Sequence, residues 1–127
     1  MFEIGEKGQA IHDVWIEDGI AYSSNWKHGV YMIDVGNGVA GGSPSNPVAM
    51  ANYSYESGAH HATFPFKSKS TDKFYTVLGD EIFPQGIDVY TTNETAGFIH
   101  FVDFTDINNP EEVARYELPG HGSHNYW

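Results

Sequence analysis

The segment Ile11-His12-Asp13-Val14-Trp15 recurs, altered, as His60-His61-Ala62-Thr63-Phe64 and again as Ser123-His124-Asn125-Tyr126-Trp127. The flanks recur with it. Pro47 of an Asn46-Pro47 pair stands 14 residues before His61, and Pro110 of Asn109-Pro110 stands 14 before His124. Tyr53 and Tyr116 each precede those histidines by eight residues. A chain of related units cannot fold as an arbitrary globule. Each unit is one supersecondary motif, and stacked neighbours must cover the face it cannot bury alone. The units are unequal, 49 residues from His12 to His61 and 63 from His61 to His124. The extra length falls between periodic segments, where repeat proteins accept insertions.

Within a unit the apolar period is two, as in strands, and nowhere helical. Asp13-Val14-Trp15-Ile16 runs into Asp18-Gly19, a strong hairpin dipeptide, and Ile20-Ala21-Tyr22-Ser23 reads as the returning strand. Val30 to Val35 is the clearest buried strand, and Val48 to Tyr55 supplies a fourth after a glycine-rich excursion. The second unit repeats this order at 62–67, 73–78, 98–104 and 112–116, with 87–90 readable as strand or loop. Four short antiparallel strands per unit describe one propeller blade. The expected organisation is all-β: 1–10 ends a preceding blade, 11–57 and 58–119 are blades, and 120–127 opens a third. Two blades leave apolar faces and edges open, and the stop at Trp127 in mid-strand predicts that further blades complete the ring. These would lie in the same chain or, as the weaker option, in other copies of a homo-oligomeric ring.

Composition excludes several function classes. The net charge is −11, from 6 basic and 17 acidic residues, so nothing here would neutralise the phosphates of a nucleic acid or an anionic membrane. The absence of cysteine removes disulfides, thiolate metal sites and cysteine nucleophiles. No apolar run is long enough to span a membrane as a helix. Nor is there a Walker loop, a Gly-x-Ser-x-Gly elbow, a His-Glu-x-x-His motif or a dinucleotide fingerprint.

Phe98-Ile99-His100-Phe101-Val102-Asp103-Phe104, followed by Thr105-Asp106-Ile107-Asn108-Asn109-Pro110, resembles the repeat named for its Leu-Val-Ile-Val-Asp core and the Asn-Pro turn after it. Tyr31-Met32-Ile33-Asp34-Val35 with Pro44-Ser45-Asn46-Pro47 looks like a second copy, interrupted at 36–43. His100 inside the core strand and Asn108 in the turn depart from the pattern. The resemblance implies an LVIVD-repeat β-propeller. Such proteins are often exported or surface-associated in bacteria, which implies an extracellular or periplasmic setting. It implies no activity.

In a propeller the first strand of each blade lines the central channel, and the loops joining second to third strands open on the face where first strands begin. His12, His61 and His124 are therefore expected at one channel mouth, with Asp80 and Glu81 beside them. Trp26, Lys27 and His28, and Phe83 in the second unit, belong to loops of the same face. Imidazole with carboxylate and no thiolate suits Zn, Cu, Fe or Mn. Candidate ligands are His12, His61, His124 and Glu81, with His60, Asp80 and His121 weaker. Glu81 is also the candidate general base for a bound water. The competing role for each histidine is structural, its ring bonding the backbone of a neighbouring blade. His100 is expected to pack between blades, and Asp34 and Asp103 to bind turn amides.

Two functions follow. The first is a binding scaffold presenting loops such as that of Trp26, Lys27 and His28, and Phe83, to a protein, glycan or peptide. The alternative is a metal-binding protein or metal-dependent hydrolase or oxidoreductase with a divalent ion at the mouth. Fold alone does not choose between them.

Overall fold

The computed structural model describes residues 11–56, 59–82 and 93–124. Every regular element among them is a strand. β1 (Asp13–Glu17), β2 (Ile20–Ser24), β3 (Val30–Asp34) and β4 (Val48–Tyr53) form one antiparallel sheet in chain order. β5 (His60–Lys67), β6 (Phe74–Asp80), β7 (Ile99–Asp103) and β8 (Glu111–Tyr116) form a second in the same order. The sheets do not close into a ring, so the protein is an all-β, propeller-like pair of blades. The expected blade end at 1–10, the segment 87–90, Phe83 and residues 125–127 lie outside the described residues.

The local chemistry accounts for these elements. Asp18 and Gly19 both take positive φ, 49° and 75°, the backbone that a two-residue hairpin requires to match strand twist. The third and fourth strands slip register between Met32 and Ile33 in the first sheet, and between Phe101 and Val102 in the second. Each shift lies between the residues two and one places before the strand's closing aspartate, so the repeat extends to an irregularity.

The glycine-rich excursion after β3 has a physical purpose. The fully buried Asp34 carboxylate accepts the backbone N–H groups of Gly36, Gly38, Ala40 and Gly42 at 2.8–3.1 Å. A Cβ on Gly42 would stand 2.1 Å from the Asp34 carbonyl oxygen, so the loop can wrap this closely only without a side chain there. In the second blade Asp103 caps its turn differently, binding the Thr105 N–H at 2.9 Å and the Lys73 ammonium at 2.7 Å.

The core lies between the blades. Ile20, Tyr22, Val30 and Met32 of the first sheet pack against Leu78, Val102 and Phe104 of the second. Rings continue the seam, with Trp15 and Phe64 at 5.0 Å and Tyr53 and Phe104 at 5.8 Å. The fourth strand ends at Tyr53, two residues earlier than expected, and Tyr55 instead lays its ring against His60 (4.1 Å) and His100 (3.6 Å). Because β1 and β2 both lie on β5, the starts of the two first strands are brought side by side.

Candidate metal centre at the blade ends

His12 sits one residue ahead of β1, held by its N–H to the Ser24 carbonyl at 2.8 Å, which extends the β1–β2 ladder to the strand's end. Its Nε2 donates to Glu81 Oε2 at 2.7 Å. Glu81 follows β6 directly, and its N–H donates to the Ala59 carbonyl at 2.8 Å, pinning it beside the start of β5. His61 occupies a β-bulge: His60 pairs with Asp80 and Thr63 with Leu78, so His61 and Ala62 stand opposite Gly79 alone. Bulges re-aim side chains next to functional sites. The His61 ring lies 4.6 Å from that of His12 and 4.2 Å from that of His124.

One donor atom each from His12, His61 and Glu81 can be chosen so that all three lie within 4.8 Å of one another. His124 joins from the chain after β8, its Nε2 3.4 Å from Glu81 Oε1. The group opens to solvent, with 35% of the His12 side chain and 56% of the His124 side chain exposed against 13% for Glu81. Burial by itself would raise the Glu81 carboxyl pKa. The His12 hydrogen bond and the nearness of His61, His12 and His124 outweigh it, holding the group below the ordinary glutamate range. His61 Nδ1 is buried and has no hydrogen-bond partner among the described residues.

Neighbouring residues in the sequence go elsewhere. His60 and Asp80, expected as extra ligands, turn away from the mouth into the space between the blades. His60 is fully buried and donates from Nδ1 to the Trp26 carbonyl. Burial pushes its imidazole pKa down, the Trp26 bond and Asp80 oppose this, and His100 adds to it. His60 is thus the structural histidine bonding a neighbouring blade, the role weighed above for the whole set. The buried Asp80 carboxylate receives His100 Nε2 at 3.2 Å and the Phe98 N–H at 3.3 Å, while His100 Nδ1 faces Glu112 at 2.8 Å. His100 therefore packs between blades, as expected. His121 is exposed and bonds the Pro119 carbonyl at 3.0 Å. Lys27 and His28 stay exposed in their loop. Trp26 alone of that loop reaches the group by a ring contact among the described residues, 4.9 Å from the His12 ring.

Sequence reasoning missed Ser123. Its hydroxyl accepts the Asp80 N–H at 3.1 Å and faces the carbonyls of Phe98 and Asp80 at 2.7 and 3.0 Å. Ser123, the residue before His124, is thus tied to Asp80, the residue before Glu81. The signal was present in the repeat: His60 and Ser123 are both polar and both precede a recurring histidine, and each bonds the second-to-third-strand loop of the preceding blade.

No protein-family model matches the chain, and no curated protein or solved structure does so either. Among the described residues no helix is long and apolar enough to cross a membrane.

Proposed function

We propose that this protein binds a divalent metal ion through His12, His61 and Glu81, with His124 as a fourth ligand, at one end of its paired blades. The observation that carries this reading is the convergence of His12, His61 and Glu81 donor atoms within 4.8 Å. Ligands of a tetrahedral ion stand about 3.3–3.6 Å apart when bonds are about 2.0–2.2 Å. Side-chain movements on the order of 1 Å would suffice, and the exposed His12 and His124 have room for them. His61 Nδ1, buried and without a hydrogen-bond partner among the described residues, is a further nitrogen available to such an ion. Neutral imidazoles with one carboxylate suit Zn, Cu, Fe or Mn. Such an ion would act as a Lewis acid, polarising an oxygen ligand from solvent that displaces the exposed His124 or adds as a fifth ligand. The setting implied by the LVIVD-repeat resemblance, extracellular or periplasmic, belongs to the same proposal.

The test is titration of the metal-free protein with Zn²⁺ against a chromophoric chelator. One equivalent should bind, and His61→Ala should weaken it by about 100-fold or more. Absence of stoichiometric binding, or indifference to His61→Ala, would overturn the reading in favour of the scaffold.

Ser123 gives a finer prediction. Groups that orient ligands from outside the coordination shell typically contribute about 10–100-fold to metal affinity. Ser123→Ala should lower Zn²⁺ affinity by about tenfold and alter the visible spectrum of the Co²⁺ form. Ser123→Thr, which keeps the hydroxyl, should restore both. A spectrum unchanged in Ser123→Ala would show that the hydroxyl does not position Glu81 and His124.

A further inference from the structure

Trp26 is held in a backbone conformation that a bulky residue rarely adopts, with φ at +49°. Such positions persist only when their surroundings over-determine them, and here they do. The Trp26 N–H donates to the His60 carbonyl at 2.9 Å. Its own carbonyl accepts the His60 N–H at 3.2 Å and the His60 ring as well. The Asn25 side chain closes the loop from the other side through Ser23 and Gly29. All this fixes an indole that is not used as core, since Trp26 remains 40% exposed. Its ring stands edge-on to that of His12, 4.9 Å away at 65°. A strained, over-determined backbone that presents an exposed aromatic beside a candidate ligand is poorly explained by packing.

We propose that Trp26 is the stacking wall for a small anionic ligand that coordinates the metal through an oxygen head group and carries a flat ring. This rests on the metal reading above. A divalent ion with one carboxylate and neutral imidazoles keeps a single positive charge, which a monoanion neutralises. The exposed sides of His12 and His124 leave the ion reachable from solvent, and the part-exposed indole stands against the His12 ring. Aromatic faces recognise planar rings by offset or edge contacts. The ligand class is therefore an aromatic carboxylate, hydroxamate or similar oxygen chelator, with Trp26 as the residue that sets the preference for a ring.

The experiment uses the zinc-loaded chain and two probes with the same chelating group, acetohydroxamate and benzohydroxamate, measured by calorimetry. Benzohydroxamate should bind several-fold to about tenfold more tightly. Trp26→Ala should abolish that preference, and Trp26→Phe should retain most of it. Equal binding of the two probes by the unmodified protein, or a preference surviving in Trp26→Ala, would overturn the proposal. So would a Trp26→Ala variant that loses zinc and both probes alike, because Trp26 would then merely hold His12. Failure to bind zinc at all would overturn the metal reading itself, a distinct result.

Discussion

Phe104→Ala is expected to cost about 3–5 kcal/mol, the range for a large aromatic removed from a core that cannot collapse into the space. Phe104 is 1% exposed and sits at the seam of the blades, edge-to-face with Tyr53 of the other sheet and in one cluster with Leu78 and Val102. Its N–H is already committed to the Phe74 carbonyl at 2.8 Å, so the backbone has little freedom to follow the lost side chain. Urea denaturation should show a lower midpoint with an unchanged slope. Both blades should still unfold in one transition, because each buries its apolar face on the other. Val113→Ala, on a half-exposed position of β8, is the control and should stay within about 0.5 kcal/mol. If the two substitutions cost the same, the seam is not the core of this protein.

The second large effect concerns Asp34. Four backbone N–H groups converge on its carboxylate, those of Gly36, Gly38, Ala40 and Gly42. Asparagine offers one acceptor oxygen and turns an amide NH₂ toward donors, so Asp34→Asn should lower Tm by upwards of about 5 °C at neutral pH. The pH dependence has a definite sign. The Gly38 hydrogen bond, with those from Ala40, Gly42 and Gly36, outweighs burial and holds the Asp34 carboxyl well below the usual aspartate range. A carboxyl whose folded pKa is depressed contributes stability above its unfolded value, about 3.9. That contribution is lost as pH falls toward the folded value. Stability of the unmodified protein should therefore decline steeply below about pH 4, and Asp34→Asn should flatten that decline. An unaltered slope would mean that the carboxylate is not what organises the loop.

Much of the fold was legible because strand periodicity and turn chemistry are local. Asp18-Gly19 announces its hairpin, and the recurrence of Asn-Pro, Tyr and His at equal spacings marks blade after blade. The same spacing brought His12, His61 and His124 to one mouth, and a place at the end of β6 put Glu81 among them. What stayed hidden is which of two adjacent residues faces which way. His60 and His61 are chemically identical neighbours, and so nearly are Asp80 and Glu81. A strand sends successive side chains to opposite faces, but parity at its end depends on register and bulges, which the partner strand decides. Thus His60 became a buried tie to Trp26, and Asp80 a buried partner of His100.

By itself the sequence determined the repeat, the all-β class, the hairpins and the acceptance of long loops, because each depends on residues close along the chain. Only the tertiary structure decided that the bulge at His61 turns one imidazole to the mouth and leaves its neighbour inside. It alone set Ser123 on the backbone of Asp80 and Trp26 against His12. Those outcomes depend on contacts between residues tens of positions apart, through the packing of one blade on the other.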